Sequence, residues 1–252
     1  MLSKIVGGEI DLAIVLGTGL SDLVSERISD ATRIPYGELG LPRATLLGHA
    51  GEAIVGQWHR RRVAAFAGRV HLYQGFDAYA VTAQVALARD SGATTIVLTN
   101  AAGGLNPNFG AGDLMLIVDQ VNLTGTSPLV GRVNPNPFVQ MLGAYDAELA
   151  ELARRRAAAL GISLREGVYA GLIGPAFETH AEARWLRSFA DVVGMSTVLE
   201  TIRARSLDMR VLGLSVVTNI VGLPTSHHDV IAATKKRAPD LARLLDSVIE
   251  SL

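Results

Sequence analysis

Apolar residues along this chain follow two rhythms, and the rhythms sort it into elements. Near-continuous apolar runs read as buried strands at 11–16, 63–66, 94–98, 114–118, 167–173, 191–197 and 210–218. Between them, apolar positions recur every three or four residues, as on the buried face of a helix. Such stretches span 78–91, with Val81, Val85, Leu87 and Ala88, and 146–160, with Leu149, Leu152, Ala153 and Leu160. Another follows Thr179, which with Glu182 forms a capping-box pattern ahead of Trp185, Leu186 and Phe189. A helix is also predicted over 198–207. The last runs through Leu241, Leu244, Leu245, Val248, Ile249 and Leu252, with Pro239 near its start. Gly92 and Gly161 serve as stops. Residues 27–62, rich in proline and glycine, read as irregular, and 119–137 as a loop. The alternation predicts a mostly parallel or mixed sheet covered by helices on both faces.

The strands end in unusual residues. The run 94–98 leads into Thr99-Asn100-Ala101-Ala102-Gly103-Gly104-Leu105-Asn106-Pro107. Small side chains there let a ligand approach the main chain, although a plain glycine turn between core strands would look the same. Residues 11–16 deliver Gly17-Thr18-Gly19-Leu20, a glycine loop that reads as an anion site or a tight turn. It lacks the third glycine of the dinucleotide fingerprint. Strand 63–66 leads to Arg69, His71 and Tyr73, which share one face if the chain stays extended. Arg grips tetrahedral anions with two parallel hydrogen bonds. Strand 167–173 delivers Phe177 and Glu178, the latter at a helix start where the macrodipole alone would explain a carboxylate. Strands 191–197 and 210–218 deliver Met195-Ser196 and Asn219. His49, between Gly48 and Gly51, reads on residue type alone as structural or surface. In Ser226-His227-His228-Asp229, consecutive side chains diverge, which makes a poor metal site. The clustering of polar groups at strand ends is the functional signal, because ligands bind at the carboxyl ends of strands in parallel α/β sheets.

Composition narrows the classes. The chain has 252 residues, 49% hydrophobic and 19% charged, with a net charge of -1. That argues against nucleic-acid binding through a basic surface. With no cysteine, disulfides, thiolate metal sites and cysteine nucleophiles are excluded. Residues 1–9 lack a signal-peptide core, and no apolar run reaches transmembrane length. The expectation is a cytoplasmic protein with no membrane partner, folded as a single domain over 1–252.

Taken together, Leu16-Gly17-Thr18-Gly19, the 99–107 stretch, Gly174-Pro175-Ala176-Phe177-Glu178-Thr179, Val193-Gly194-Met195-Ser196-Thr197 and Ser226-His227 resemble the trimeric, low-molecular-mass purine nucleoside phosphorylases. The resemblance covers nearly the whole chain. It implies a three-layer α/β fold with a central mixed, partly barrel-like sheet flanked by helices. It also implies cleavage of 6-oxopurine (deoxy)ribonucleosides by inorganic phosphate, a co-substrate, with no metal or organic cofactor. By the same resemblance Thr18, His49, Arg69, His71, Ala101 and Ser196 would hold phosphate. Tyr73, Met195 and His227 would contact the ribose, and Phe177 and Val193 the base. Glu178 and Asn219 would read the purine edge, with Asn219, Glu178 and His71 as the catalytic set. Phe138 would close the site of a neighbouring subunit in a homotrimer. Thr18 stands where many members have Ser, Gln74 where Glu is frequent, and Ile220 where vertebrate members have Lys. A xanthosine or methylthioadenosine phosphorylase, or a non-catalytic nucleoside-binding protein, are the alternative readings; Asn219 speaks against methylthioadenosine, whose phosphorylases carry Asp at that place.

Overall fold

The computed structural model describes residues 2, 7–20, 24, 26–43, 50–131 and 138–252. Its strands are β1 (Leu12–Leu16), β2 (Ser29–Pro35), β3 (Glu52–Trp58), β4 (Arg61–Ala67), β5 (Thr95–Gly104), β6 (Leu114–Asn122), β7 (Leu164–Gly171), β8 (Val192–Gly194) and β9 (Arg210–Ile220). The helices are α1 (Ala83–Asp90), α2 (Ala147–Ala159), α3 (His180–Leu186), α4 (Val198–Arg205) and α5 (His227–Glu250). All strands join one sheet in the order β2-β3-β4-β1-β5-β8-β7-β6-β9, and a further β5–β9 pairing closes its last five strands into a barrel. Parallel pairs (β1–β4, β1–β5, β5–β9, β6–β7, β7–β8) mix with antiparallel ones (β2–β3, β3–β4, β5–β8, β6–β9). The expected mixed, partly barrel-like sheet is therefore present.

β5 is the seam between the open sheet and the barrel. One edge follows β9 from Thr95 to Gly104. The other pairs with β1 over Thr95–Leu98, then with β8 at Gly103 and Gly104. Between these partners, residues 99–102 have β9 on one side and, among the described residues, no strand on the other.

Alternation along the strands fills two cores. Ala13 and Val15 of β1, Phe66 of β4 and Ile96 and Leu98 of β5 pack with Val85 and Ala88 of α1 and Val198 and Ala204 of α4. Leu12, Ile14 and Leu16, with Val97 and Leu212, pack against Leu149 of α2 and Leu241, Leu244 and Val248 of α5. A buried aliphatic side chain such as Ile14 contributes about 1.5–3 kcal/mol relative to exposure. α2 starts where Asp146 accepts the N–H groups of Glu148 and Leu149 and takes hydrogen bonds from Arg210 Nε and Nη2, each at 2.8 Å.

Four expectations need correction. Residues 27–62 hold β2, a short 3₁₀ turn at Tyr36–Leu39 and β3. β2 is an edge strand whose residues are nearly all exposed, so it carries no apolar run. The 99–107 stretch is no turn at its start, because β5 continues through Gly104 against β9. Likewise β6 runs on to Asn122. Finally, Pro239 lies well inside α5, which begins at His227 under a Ser226–Asp229 capping box.

Candidate active site

The gap beside residues 99–102 opens into a cavity of about 380 Å³, well within the range of small-ligand sites. Its walls come from the ends of β1, β4, β5, β8 and β9, the β7–α3 loop and the first turns of α5. All the site residues read from the sequence line it except His49 and Phe138. His49 lies outside the described residues. Phe138 is 87% exposed and does not line the cavity of its own chain.

The cavity has two chemically distinct ends. Arg69, His71, Met195 and Ser196 also border a small void behind the wall, whereas Phe177, Glu178 and Asn219 border a second cavity of about 320 Å³ under the 221–225 loop. The first end carries positive charge and hydroxyls. The second carries a carboxylate and an amide.

Close backbone approach builds the first end. Gly17 N–H donates to Thr99 Oγ1 at 3.0 Å, and the same hydroxyl donates to Val15 O at 3.0 Å. A Cβ at Gly17 would meet Asn100 Cα at 2.8 Å, so only glycine brings the Thr18 turn this near β5. Arg69 is 2% exposed and follows β4. Its Nη1 donates to Ser196 Oγ at 3.2 Å, and its Nε pairs with Glu200 Oε1 at 3.2 Å. The shared face foreseen for Arg69, His71 and Tyr73 does not form by strand alternation. The chain leaves extended structure at His71, whose N–H donates to Gln74 Oε1 at 2.8 Å, and turns through a 3₁₀ segment at Leu72–Gln74. His71 and Tyr73 rings instead stack with centroids 4.8 Å apart, and both still line the cavity. Burial pushes the Tyr73 phenol up to about 12, so it stays a neutral hydrogen-bonding group.

At the second end, Thr218 Oγ1 donates to Asn219 Oδ1 at 3.0 Å. That leaves the amide nitrogen as the group to present outward, and it sits 3.5 Å from where a Gly103 Cβ would stand. A Cβ at Gly103 would also come within 2.7 Å of Val221 Cγ2, so a larger residue there would have to push the Val221 side chain aside. Glu178 precedes the Thr179 cap of α3, and partial burial pushes its carboxyl above the usual glutamate range.

The small residues Ala101, Ala102 and Gly103 line the cavity as the sequence suggested, whereas Asn100, Pro175, Thr218 and Val230 were given no site role from sequence. Behind the wall lies Glu200, read only as a helix charge. It is 3% exposed, burial pushes its carboxyl up, and Arg69 and the Thr197 N–H pull it down. A Thr-x-x-Glu pattern at 197–200 was the signal that could have found it. Among the described residues no group of His, Asp or Glu is placed to hold a metal ion, and no helix is long and apolar enough to cross a membrane.

Residues 11–250 match the phosphorylase superfamily. The chain is 46% identical over 248 residues to a purine nucleoside phosphorylase of Mycobacterium tuberculosis, covering 96% of this chain and 90% of that protein. It is 40% identical over 260 residues to the purine nucleoside phosphorylase of Bos taurus, covering 96% and 89%. A crystal structure of a schistosoma purine nucleoside phosphorylase in complex with hypoxanthine superposes with a TM-score of 0.93 at 31% identity, over 100% of this chain and 94% of that one. With sequence likeness running from β1 to the end of α5 and the same closed barrel beneath it, this chain belongs to the phosphorylase superfamily, among its purine nucleoside phosphorylases.

Proposed function

We propose that the chain catalyses the reversible phosphorolysis of purine nucleosides, with 6-oxopurines such as inosine and guanosine, and their 2′-deoxy forms, as its substrates. The carrying observation is one cavity with a guanidinium, imidazole and hydroxyl end at Arg69, His71 and Ser196 and a carboxylate–amide end at Glu178 and Asn219.

Phosphate binds at the first end, on Thr18, Arg69, His71, Ser196 and the Ala101 main chain, with His49 completing the set. Guanidinium, imidazole and hydroxyl groups suit a tetrahedral anion. Tyr73, Met195 and His227 hold the ribose, and Phe177 and Val193 flank the base. Glu178 accepts the N1–H of a 6-oxopurine. The Asn219 amide donates toward O6 and N7, its orientation fixed by Thr218. In the reaction the C1′–N9 bond breaks and its electron pair leaves with the purine. A phosphate oxygen bonds to C1′, and the purine anion takes up one proton. Negative charge grows on the base as the sugar becomes oxocarbenium-like, so the hydrogen bond from Asn219 strengthens in the transition state and lowers the barrier selectively. The bound phosphate stabilises the cationic sugar and attacks it at close range. Neither metal nor organic cofactor is called for. The reading extends to a cytoplasmic homotrimer in which the exposed Phe138 closes a neighbour's site, testable as a trimeric mass in light scattering.

The test is the pure protein with inosine, with and without phosphate, following hypoxanthine and ribose 1-phosphate. Phosphate-dependent release of both is expected. Release without phosphate would indicate hydrolysis, and nucleoside binding without turnover would leave a binding protein.

A further inference from the structure

Glu200 touches no part of the main cavity, yet it closes a ring of interactions behind it. Its Oε1 meets Arg69 Nε at 3.2 Å. Arg69 Nη1 donates to Ser196 Oγ at 3.2 Å, which lies 3.1 Å from Thr197 Oγ1. The Thr197 N–H returns to Glu200 Oε2 at 3.1 Å. Thr197 is held at φ 71° and ψ -51° in a γ-turn closed by Val198 N–H to Ser196 O at 2.8 Å, a strained conformation for a β-branched residue, and Asn100 Nδ2 donates to its hydroxyl at 2.9 Å. Such conformations persist where surrounding contacts over-determine them.

We propose that Glu200 is a positioning residue for the anion end of the site: it fixes the Arg69 guanidinium through Nε and the Ser196–Thr197 turn through the Thr197 N–H. This rests on the phosphate-site reading given above. The guanidinium and the Ser196 hydroxyl reach the cavity from two different elements, the β4 end and the β8–α4 turn, and the Glu200 carboxylate holds both, by an ion pair to Arg69 and a hydrogen bond from the Thr197 N–H. Its charge sharpens the case. A buried carboxylate beside an anion site repels the anion, so by charge alone it would weaken phosphate binding. Its presence there is explained when what it contributes is geometry.

Charge and geometry make opposite predictions for Glu200→Gln. If charge dominates, the variant lowers KM for phosphate. If positioning dominates, KM for phosphate rises by about tenfold or more, because groups displaced by fractions of an ångström lose anion contacts. KM for inosine and the affinity for hypoxanthine, measured by calorimetry without phosphate, stay within about twofold, since Glu178 and Asn219 sit on other elements. In an Arg69→Lys background, which has no Nε, the further effect of Glu200→Gln on phosphate KM shrinks sharply. Glu200→Asp keeps the charge but shortens its reach and serves as the second variant should Glu200→Gln not fold; its phosphate KM is expected to rise as well. A phosphate KM that is unchanged or lower in the folded variants overturns the proposal, as does an equal loss for both substrates. Failure of the wild-type protein to turn over inosine with phosphate would instead overturn the functional reading on which it rests.

Discussion

Exchanging Asn219 for Asp tests the base-reading end without changing its size. Thr218 Oγ1 already donates to Oδ1, so one oxygen of the introduced carboxylate would take that bond and the other would replace the Nδ2 donor. On the proposed reading, a donor aimed at O6 and N7 becomes an acceptor facing two acceptors. Removing one preorganised donor to developing negative charge costs about 2.7–4 kcal/mol in dry sites. Asn219 is half-buried, so the effect falls at or below the low end of that range, about 2–3 kcal/mol, or roughly 30- to 150-fold in kcat/KM for inosine. Adenosine behaves oppositely: its 6-amino group donates, and the new carboxylate accepts. The ratio of kcat/KM for adenosine to that for inosine is therefore expected to rise by at least the same factor. Steady-state assays with inosine, guanosine and adenosine at saturating phosphate measure it. A variant within about threefold of wild type on inosine, or with an unchanged ratio, would show that Asn219 does not contact the base edge.

Burial raises the Glu178 carboxyl, and its ionised form makes the stronger, charge-assisted bond to N1–H, so kcat/KM for inosine should fall with decreasing pH from above the ordinary glutamate range. Glu178→Gln, which keeps an acceptor but cannot titrate, should lower kcat/KM and abolish that limb in a pH–rate profile. Thr218→Val leaves the Asn219 amide unanchored; a loss of about 0.5–1.5 kcal/mol, or roughly 2- to 12-fold in kcat/KM with unchanged phosphate KM, is expected from kinetics. Asp146→Ala removes the cap of α2 and the Arg210 pair, and should cost about 1–2 kcal/mol in urea unfolding. Because Arg210 and the helix N–H groups hold the Asp146 carboxyl low, its contribution is present above the ordinary aspartate value and is lost as pH falls through the depressed one, so wild type and variant should converge in acid.

Much of the fold could be read from apolar rhythm because the central strands are buried on both faces and leave unbroken runs, as in β1 and β5. β2 escaped because an exposed edge strand needs no apolar face. β3 was obscured by Gly56, whose missing Cβ leaves room for Ile28 and the Ala31 main chain. The cavity residues were legible where the strand ends are short of side chains or carry matched polar groups. How Arg69, His71 and Tyr73 come together was not, because it depends on the Gln74 side chain reaching back to the His71 N–H. Nor were Thr218 and Glu200, which act through a neighbour and so look like ordinary core or helix residues in one dimension.

The change of partners along β5 separates two kinds of tuning. The turns after β1 and β4, on the open-sheet side, supply Thr18, Arg69 and His71, joined by Ser196 from the β8–α4 turn; the β7–α3 loop and the end of β9, on the barrel rim, supply Glu178 and Asn219. On the proposed reading, drift confined to the β7–α3 loop and the end of β9 can re-specify which heterocycle is accepted while the oxyanion cradle keeps its place. Drift on the open-sheet side changes the nucleophile's berth and leaves base choice intact. A scaffold divided this way can diversify its leaving groups one loop at a time without abandoning its chemistry.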